Sequence, residues 1–249
     1  MTLQSARQSG APASSSYDIH VYVIGLTGGI GTGKSTVAEV LAELGAVILS
    51  ADLAGHQVYQ PGTPAYEDIL AAFGGDMLAA DGTIDRKKLS AIVFADPANL
   101  RNLNTITHPR MKELMRAQLA ELDAKGVEFV VLEAALLFDA GWDDLTDEVW
   151  VTVAPPELAA KRASARSGIP EEQVLERIIK AQMDNAERVG RSDVVIDTSG
   201  TLEETVRRAK AEWGGLKKRL ATGGPSSMRQ RAGARDRKIE SSTETRSME

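Results

Sequence analysis

The sequence contains no cysteine, which excludes disulfides, thiolate catalysis and cysteine-ligated zinc. It has no excess of positive charge: 29 Lys plus Arg stand against 35 Asp plus Glu, a formal net charge of −6. That balance makes a poor partner for DNA or anionic lipid on electrostatics alone. No apolar run approaches the ~20 residues of a membrane-spanning helix. The N-terminus lacks the apolar core of a secretory signal, and no internal repeat is found. These absences predict a soluble, cytoplasmic protein with no nucleic-acid or membrane partner. At 249 residues, the chain suits one α/β core with small insertions, or two compact domains at most.

What the chain does have is a glycine-rich turn at the end of an apolar run. Val21–Leu26 reads as a buried strand, and Gly28–Ser35 fits G-x-x-x-x-G-K-[ST], the phosphate-cradling P-loop. Gly28, Gly31 and Gly33 can take positive φ, so that consecutive backbone N–H groups turn inward around an anion. The expected cradle is Gly29, Ile30, Gly31, Thr32, Gly33, Lys34, Ser35 and Thr36. Lys34 supplies a point charge for the β- and γ-phosphates, and the Ser35 hydroxyl is placed for Mg²⁺. A helix carrying Val37, Val40, Leu41 and Leu44 follows at once, with its positive N-terminus at the same place. The pattern predicts binding of a nucleoside triphosphate, with ATP and Mg²⁺ as cofactors.

The rest of the chain alternates. Ala46–Leu49 is a second short strand delivering Ser50-Ala51-Asp52 to its carboxyl end, beside the P-loop, where open α/β sheets place ligands. Residues 53–126 carry helical patterns only. Within them Asp96-Pro97 starts one helix and His108-Pro109 another. Val127–Leu132, closed by Glu133, Glu148–Val153 and Asp193–Ile196 complete a set of five strands. Between the last two, Pro156 opens one helix, and Gly168-Ile-Pro170 breaks it and starts a second that runs to about Arg188. Thr201-x-x-Glu204 is a capping box for a final amphipathic helix. A disordered leader is expected over 1–18 and a disordered tail over 221–249. Between them the core comprises 19–52, 127–155 and 189–220, with a substrate-binding insertion over 53–126 and a lid over about 156–188. Strands alternating with helices predict a parallel sheet.

Several short motifs in this order resemble those of the dephospho-coenzyme A kinases. They are Leu26–Ser35, Ser50-Ala51-Asp52, Pro61–Ala65, Asp81–Leu89, His108-Pro109, Leu136–Asp139, Arg162 with Arg166, and Ser192–Asp197. The resemblance covers about residues 20–220. It implies a P-loop NTPase three-layer α/β sandwich with a five-stranded parallel sheet, a helical coenzyme-A-binding segment and a helical lid. It also implies transfer of the ATP γ-phosphoryl group to the ribose 3′-hydroxyl of dephospho-coenzyme A, giving coenzyme A and ADP. A monomer or weak homo-oligomer is expected.

Within that reading, Asp52 orients the acceptor hydroxyl and takes its proton, or else caps the helix that follows it. Arg162 and Arg166, four apart on one helix face, clamp the triphosphate from the lid, or else are ordinary surface arginines. Lys34, Asp52 and Arg162 form the catalytic set, with Arg177 and Arg188 as further candidates. His56, Arg86 and His108 join Asp52 in holding the acceptor. For His108 the alternative is a cap at a kinked helix junction; for Arg86 and Lys87 it is charge on an exposed helix. Glu133 stands where a Walker-B-like carboxylate would assist Mg²⁺ through water. Thr198-Ser199-Gly200 lies where the family holds adenine, and Trp142, Trp150 and Trp213 read as core. Two other functions are open: a P-loop kinase of a nucleoside, nucleotide or sugar, and a GTPase-like switch or ATP-dependent assembly factor. The absence of an N-K-x-D guanine motif counts against the switch.

Overall fold

The computed structural model describes residues 21–222 apart from Gln182 and Asp184, and omits a few side chains near them, Arg177 included. The expected leader, the first-strand residues before Val21 and the tail after Thr222 lie outside the described residues. Five parallel strands form one sheet: β1 (Tyr22–Gly28), β2 (Val47–Ser50), β3 (Phe129–Glu133), β4 (Glu148–Val153) and β5 (Val194–Asp197), in the order β2-β3-β1-β4-β5.

Alternation along the strands divides the core in two, because successive side chains leave opposite faces. Val23, Val130, Leu132 and Val149 pack on one side with α2 (Ala51–Val58) and α5 (Pro97–Ala124). Ile24, Leu26, Val131, Trp150 and Ile196 pack on the other with α1 (Lys34–Glu43) and α9 (Leu202–Ala221). The three layers are those expected. Trp142, Trp150 and Trp213 are all buried core residues.

The insertion has its own small core. α3 (Pro64–Phe73) and α4 (Arg86–Ala95) contribute Tyr66, Ile69, Leu89 and Val93, and α5 adds Leu103. α5 corrects the expectation of a junction at His108-Pro109, for its 28 residues run unbroken through Pro109 and span about 42 Å. A proline inside a helix removes one hydrogen bond and strains the residue before it. Here Pro109 and Thr105, whose carbonyl loses its partner, are both exposed. Packing on either side overrides the local penalty: Leu103 is held in the small core, and Met111 and Met115 in the main one.

The lid also differs. α6 (Pro156–Ser167) and α7 (Glu171–Ala181) flank the predicted break, but a separate α8 (Asn185–Arg191) begins where one continuous helix was expected. Asn185 is a residue type whose short amide competes with the helical backbone and favours helix starts.

Candidate active site

β1 ends at Gly28 and α1 begins at Lys34, so the P-loop spans a tight turn against the first helical N–H groups. Gly31 and Gly33 have φ of 74° and 78°. Space also demands glycine: a Cβ on Gly28 would lie 2.1 Å from Thr152 Oγ1, and one on Gly31 2.0 Å from the Ala159 carbonyl oxygen of α6. The P-loop is therefore seated directly against α6. Thr32, buried, shares a hydrogen bond of 2.8 Å with Thr152 Oγ1, and its own hydroxyl lies 2.9 Å from the Gly29 carbonyl. Gly29, Ile30 and Thr36 are half-buried.

Lys34 Nζ donates to Glu133 Oε1 at 3.0 Å, and Ser35 Oγ donates to the same oxygen at 3.1 Å. Register explains the meeting, because Glu133 at the end of β3 stands opposite Leu26 of β1 on one side and Ser50 of β2 on the other. That register corrects one expectation: β2 is not the neighbour of the P-loop strand, for β3 lies between them. β2, which leads into Asp52, is thus two strand spacings, about 10 Å, from the P-loop strand. The carboxylate beside the loop is Glu133. Asp52 is not a cap either: Ser50 is the N-cap of α2, and Asp52 lies exposed in its first turn.

Asp52, His56, Arg86 and His108 border one pocket of about 470 Å³, brought there by α2, α4 and α5. Lys87 does not line it. Arg86 Nη1 meets His56 Nε2 between α4 and α2. His108 packs edge-on against Trp142 with ring centres 5.3 Å apart, and its carbonyl accepts from Trp142 Nε1 at 3.3 Å. Burial pushes the His108 pKa below the ordinary histidine value, against the pull of the Asp139 carboxylate. Sequence reasoning missed Tyr59, Asn104 and Thr107 in this pocket. Burial raises the pKa of the Tyr59 hydroxyl, partly offset by its hydrogen bond with Thr107 and by nearby Arg86. Only an i, i+3 spacing of Asn104 and Thr107 along α5 hinted at a shared face.

The lid arginines separate. Arg162 Nη2 donates to the Thr198 carbonyl at 2.9 Å and the Gly200 carbonyl at 3.4 Å, and Nη1 to Thr198 Oγ1 at 3.3 Å. Thr198, buried, in turn donates to the Thr32 carbonyl at 2.9 Å. Arg162 therefore ties α6 to the P-loop through the 198–200 loop. Arg166 is exposed one turn further on. Arg188, buried on α8, lines a second pocket of about 380 Å³ with Gly29, Ile30, Thr32 and Asn185.

One strand-end row thus carries an anion nest with its lysine, a carboxylate and a hydroxyl, and beyond it a pocket with its own carboxylate and a guanidinium. Such a pair of adjoining pockets suits transfer of a phosphoryl group between two bound molecules. Among the described residues no helix is long and apolar enough to cross a membrane.

Residues 22–204 match the family model of dephospho-CoA kinase. The dephospho-CoA kinase of Geobacter sulfurreducens is 46% identical over 191 residues, covering 77% of this chain and 96% of that protein. That of Leifsonia xyli is 45% identical over 199 residues, covering 78% and 98%. A crystal structure from Thermus thermophilus superposes with a TM-score of 0.66 at 33% identity, covering 83% of this chain and all of that one. The dephospho-CoA kinase of Campylobacter jejuni superposes at 0.60 with 27% identity, covering 79% and 97%. With P-loop, sheet order and both pockets in place, this chain belongs to the dephospho-CoA kinase family.

Proposed function

We propose that this chain phosphorylates the ribose 3′-hydroxyl of dephospho-coenzyme A with ATP, and that the two pockets divide the substrates. The P-loop takes the ATP phosphates, and the pocket bordered by Asp52, His56, Arg86 and His108 takes the acceptor. What supports this reading is the convergence of four residues, from helices α2, α4 and α5, on one cavity beside the P-loop end of the sheet.

In this reading Lys34 exchanges its bond with Glu133 for the β- and γ-phosphates, and the backbone N–H groups of the loop hold the remaining charge. The Lys34–Glu133–Ser35 cluster has a hydroxyl and a carboxylate of the kind Mg²⁺ takes, so Ser35 would hold the ion with Glu133 assisting. Bound there, Mg²⁺ would offset negative charge between the β- and γ-phosphates. Asp52 orients the acceptor hydroxyl and accepts its proton late, since the transition state is loose. Arg86, aimed by His56, meets the acceptor's diphosphate, and His108 forms part of the wall. Arg162 keeps the lid helix on the nucleotide, and Arg166 extends the same face toward the phosphates when the lid closes. A cytoplasmic, monomeric or weakly self-associating enzyme fits this chemistry.

The test is a panel of acceptors with ATP and Mg²⁺, with products identified by mass. Efficient phosphate transfer to dephospho-coenzyme A, and not to nucleosides, nucleotides or sugars, is expected. Preference for any of the others would transfer the assignment to that kinase class.

A further inference from the structure

Residues 134–147, between β3 and β4, are gripped from two sides. On the side of α5, the Trp142 indole bonds the His108 carbonyl at 3.3 Å, and Lys112 Nζ donates to the Gly141 carbonyl at 3.0 Å. Lys112 also donates to Asp144 Oδ2 at 2.5 Å. On the opposite side stands Arg191, the last residue of α8. Its guanidinium carbon lies 4.3 Å from the centre of the Phe138 ring, and its Nη2 lies 3.8 Å from Asp143 Oδ2. Its Nη1 is 3.7 Å from Glu187 of its own helix. Phe138 is buried, and the Asp143 carboxylate is 16% exposed.

The two grips have different destinations. Leu136 and Trp142 of this segment line the Asp52 pocket. α8, which carries Arg191, also carries Asn185 and Arg188 into the pocket beside Gly29 and Ile30. A cation over an aromatic face and near a partly buried carboxylate favours one placement, whereas a purely apolar contact is non-directional. We infer that Arg191 is a positioning residue: its contacts with Phe138 and Asp143 set the acceptor-side segment in register with α8, and so align the two pockets for transfer. The inference rests on the reading of the Asp52 pocket as the acceptor site. Arg191 lines neither of the two pockets, so its effect on the acceptor side passes through Phe138 and Asp143.

The experiment compares Arg191→Met, Arg191→Lys and Arg86→Ala with the wild-type full chain. Steady-state kinetics are measured in both substrates, with thermal melting of each protein alongside. Arg191→Met keeps an apolar stem on the ring but loses the charge. It is expected to lower kcat/KM for dephospho-coenzyme A about five- to tenfold while KM for ATP changes less than twofold and the melting curve stays close to wild type. Arg191→Lys, which keeps a cation over Phe138, is expected to recover most of the loss. An unchanged kcat/KM for the acceptor in Arg191→Met would overturn the inference. So would a rise in KM for ATP as large as the change for the acceptor, or a loss that follows the melting temperature and is not recovered by lysine. Arg86→Ala separates the two levels. If it raises KM for dephospho-coenzyme A while Arg191→Met does nothing, only the positioning role fails. If it leaves that KM unchanged, the assignment of the pocket itself fails.

Discussion

Lys34 and Asp52 stand at the ends of elements two strands apart, so their replacements should have separable effects. Lys34→Ala is expected to remove most turnover with the melting temperature nearly unchanged, because uncompensated phosphate charge costs several kcal/mol of transition-state stabilisation. Asp52→Asn should lower kcat by roughly 10²-fold or more and leave ATP affinity close to wild type, measured by titration calorimetry. A near-normal kcat would remove Asp52 from the reaction. His108 gives a pH prediction. Its folded pKa is depressed by burial, so the unfolded chain takes up a proton that the folded chain refuses. Stability contributed by the neutral ring is complete above the unfolded value of ~6.5 and is lost as pH falls through it toward the folded value. Denaturant unfolding should show that decline, and His108→Gln should flatten it. At this scale the sequence was most informative where spacing and chemistry coincide, at the P-loop lysine and serine; the resemblance, and not spacing, singled out Asp52, His56, Arg86 and His108, which the fold gathers around one pocket. The sequence marked Arg162 for the triphosphate, but nothing in its spacing says that its guanidinium will be taken up by the carbonyls of Thr198 and Gly200.

Elements follow their caps where packing does not intervene. α9 starts with a complete capping box: Glu204 N donates to Thr201 Oγ1 at 3.2 Å, and Thr201 N donates to Glu204 Oε2 at 3.0 Å. Thr201→Ala should cost about 1 kcal/mol, lowering the melting temperature by about 2–4 °C in a domain of this size. Gly31→Ala is the sharper case, because positive φ and the Ala159 carbonyl both oppose a methyl group. It should push α6 away from the loop and weaken ATP binding more than it lowers stability, as nucleotide titration beside a melting curve would show. The same capping logic failed at Pro109. A rule about one residue's φ was outweighed by Leu103, Met111 and Met115, whose burial in two cores keeps α5 continuous. Burial of that kind depends on partners distant in sequence, so no local pattern reports it.

The whole molecule is tied together by carboxylates that sequence patterns mark only as polar. Asp147 Oδ2 accepts the Val23 N–H at 2.8 Å and Asp193 Oδ2 the Val149 N–H at 2.7 Å, completing the sheet where strands begin. Glu148, buried, accepts from the Trp150 indole at 2.6 Å and from Arg219 near the end of α9 at 2.7 and 2.8 Å. Arg219→Ala should therefore loosen the end of α9 and reduce stability by about 1–2 kcal/mol, with kinetics unaffected. The parallel sheet was legible from alternation alone and its three layers from the family resemblance, but strand neighbours were not. β3 inserts between β1 and β2, and that placement makes Glu133 the loop's carboxylate and puts Asp52 in the next pocket. The claim on which the reaction scheme depends is that this pocket holds the acceptor ribose. Its most direct test is a structure of the chain with ADP and dephospho-coenzyme A. A ribose 3′-hydroxyl within about 3 Å of an Asp52 carboxylate oxygen is the predicted result; a ribose docked away from Asp52 and its pocket would contradict it.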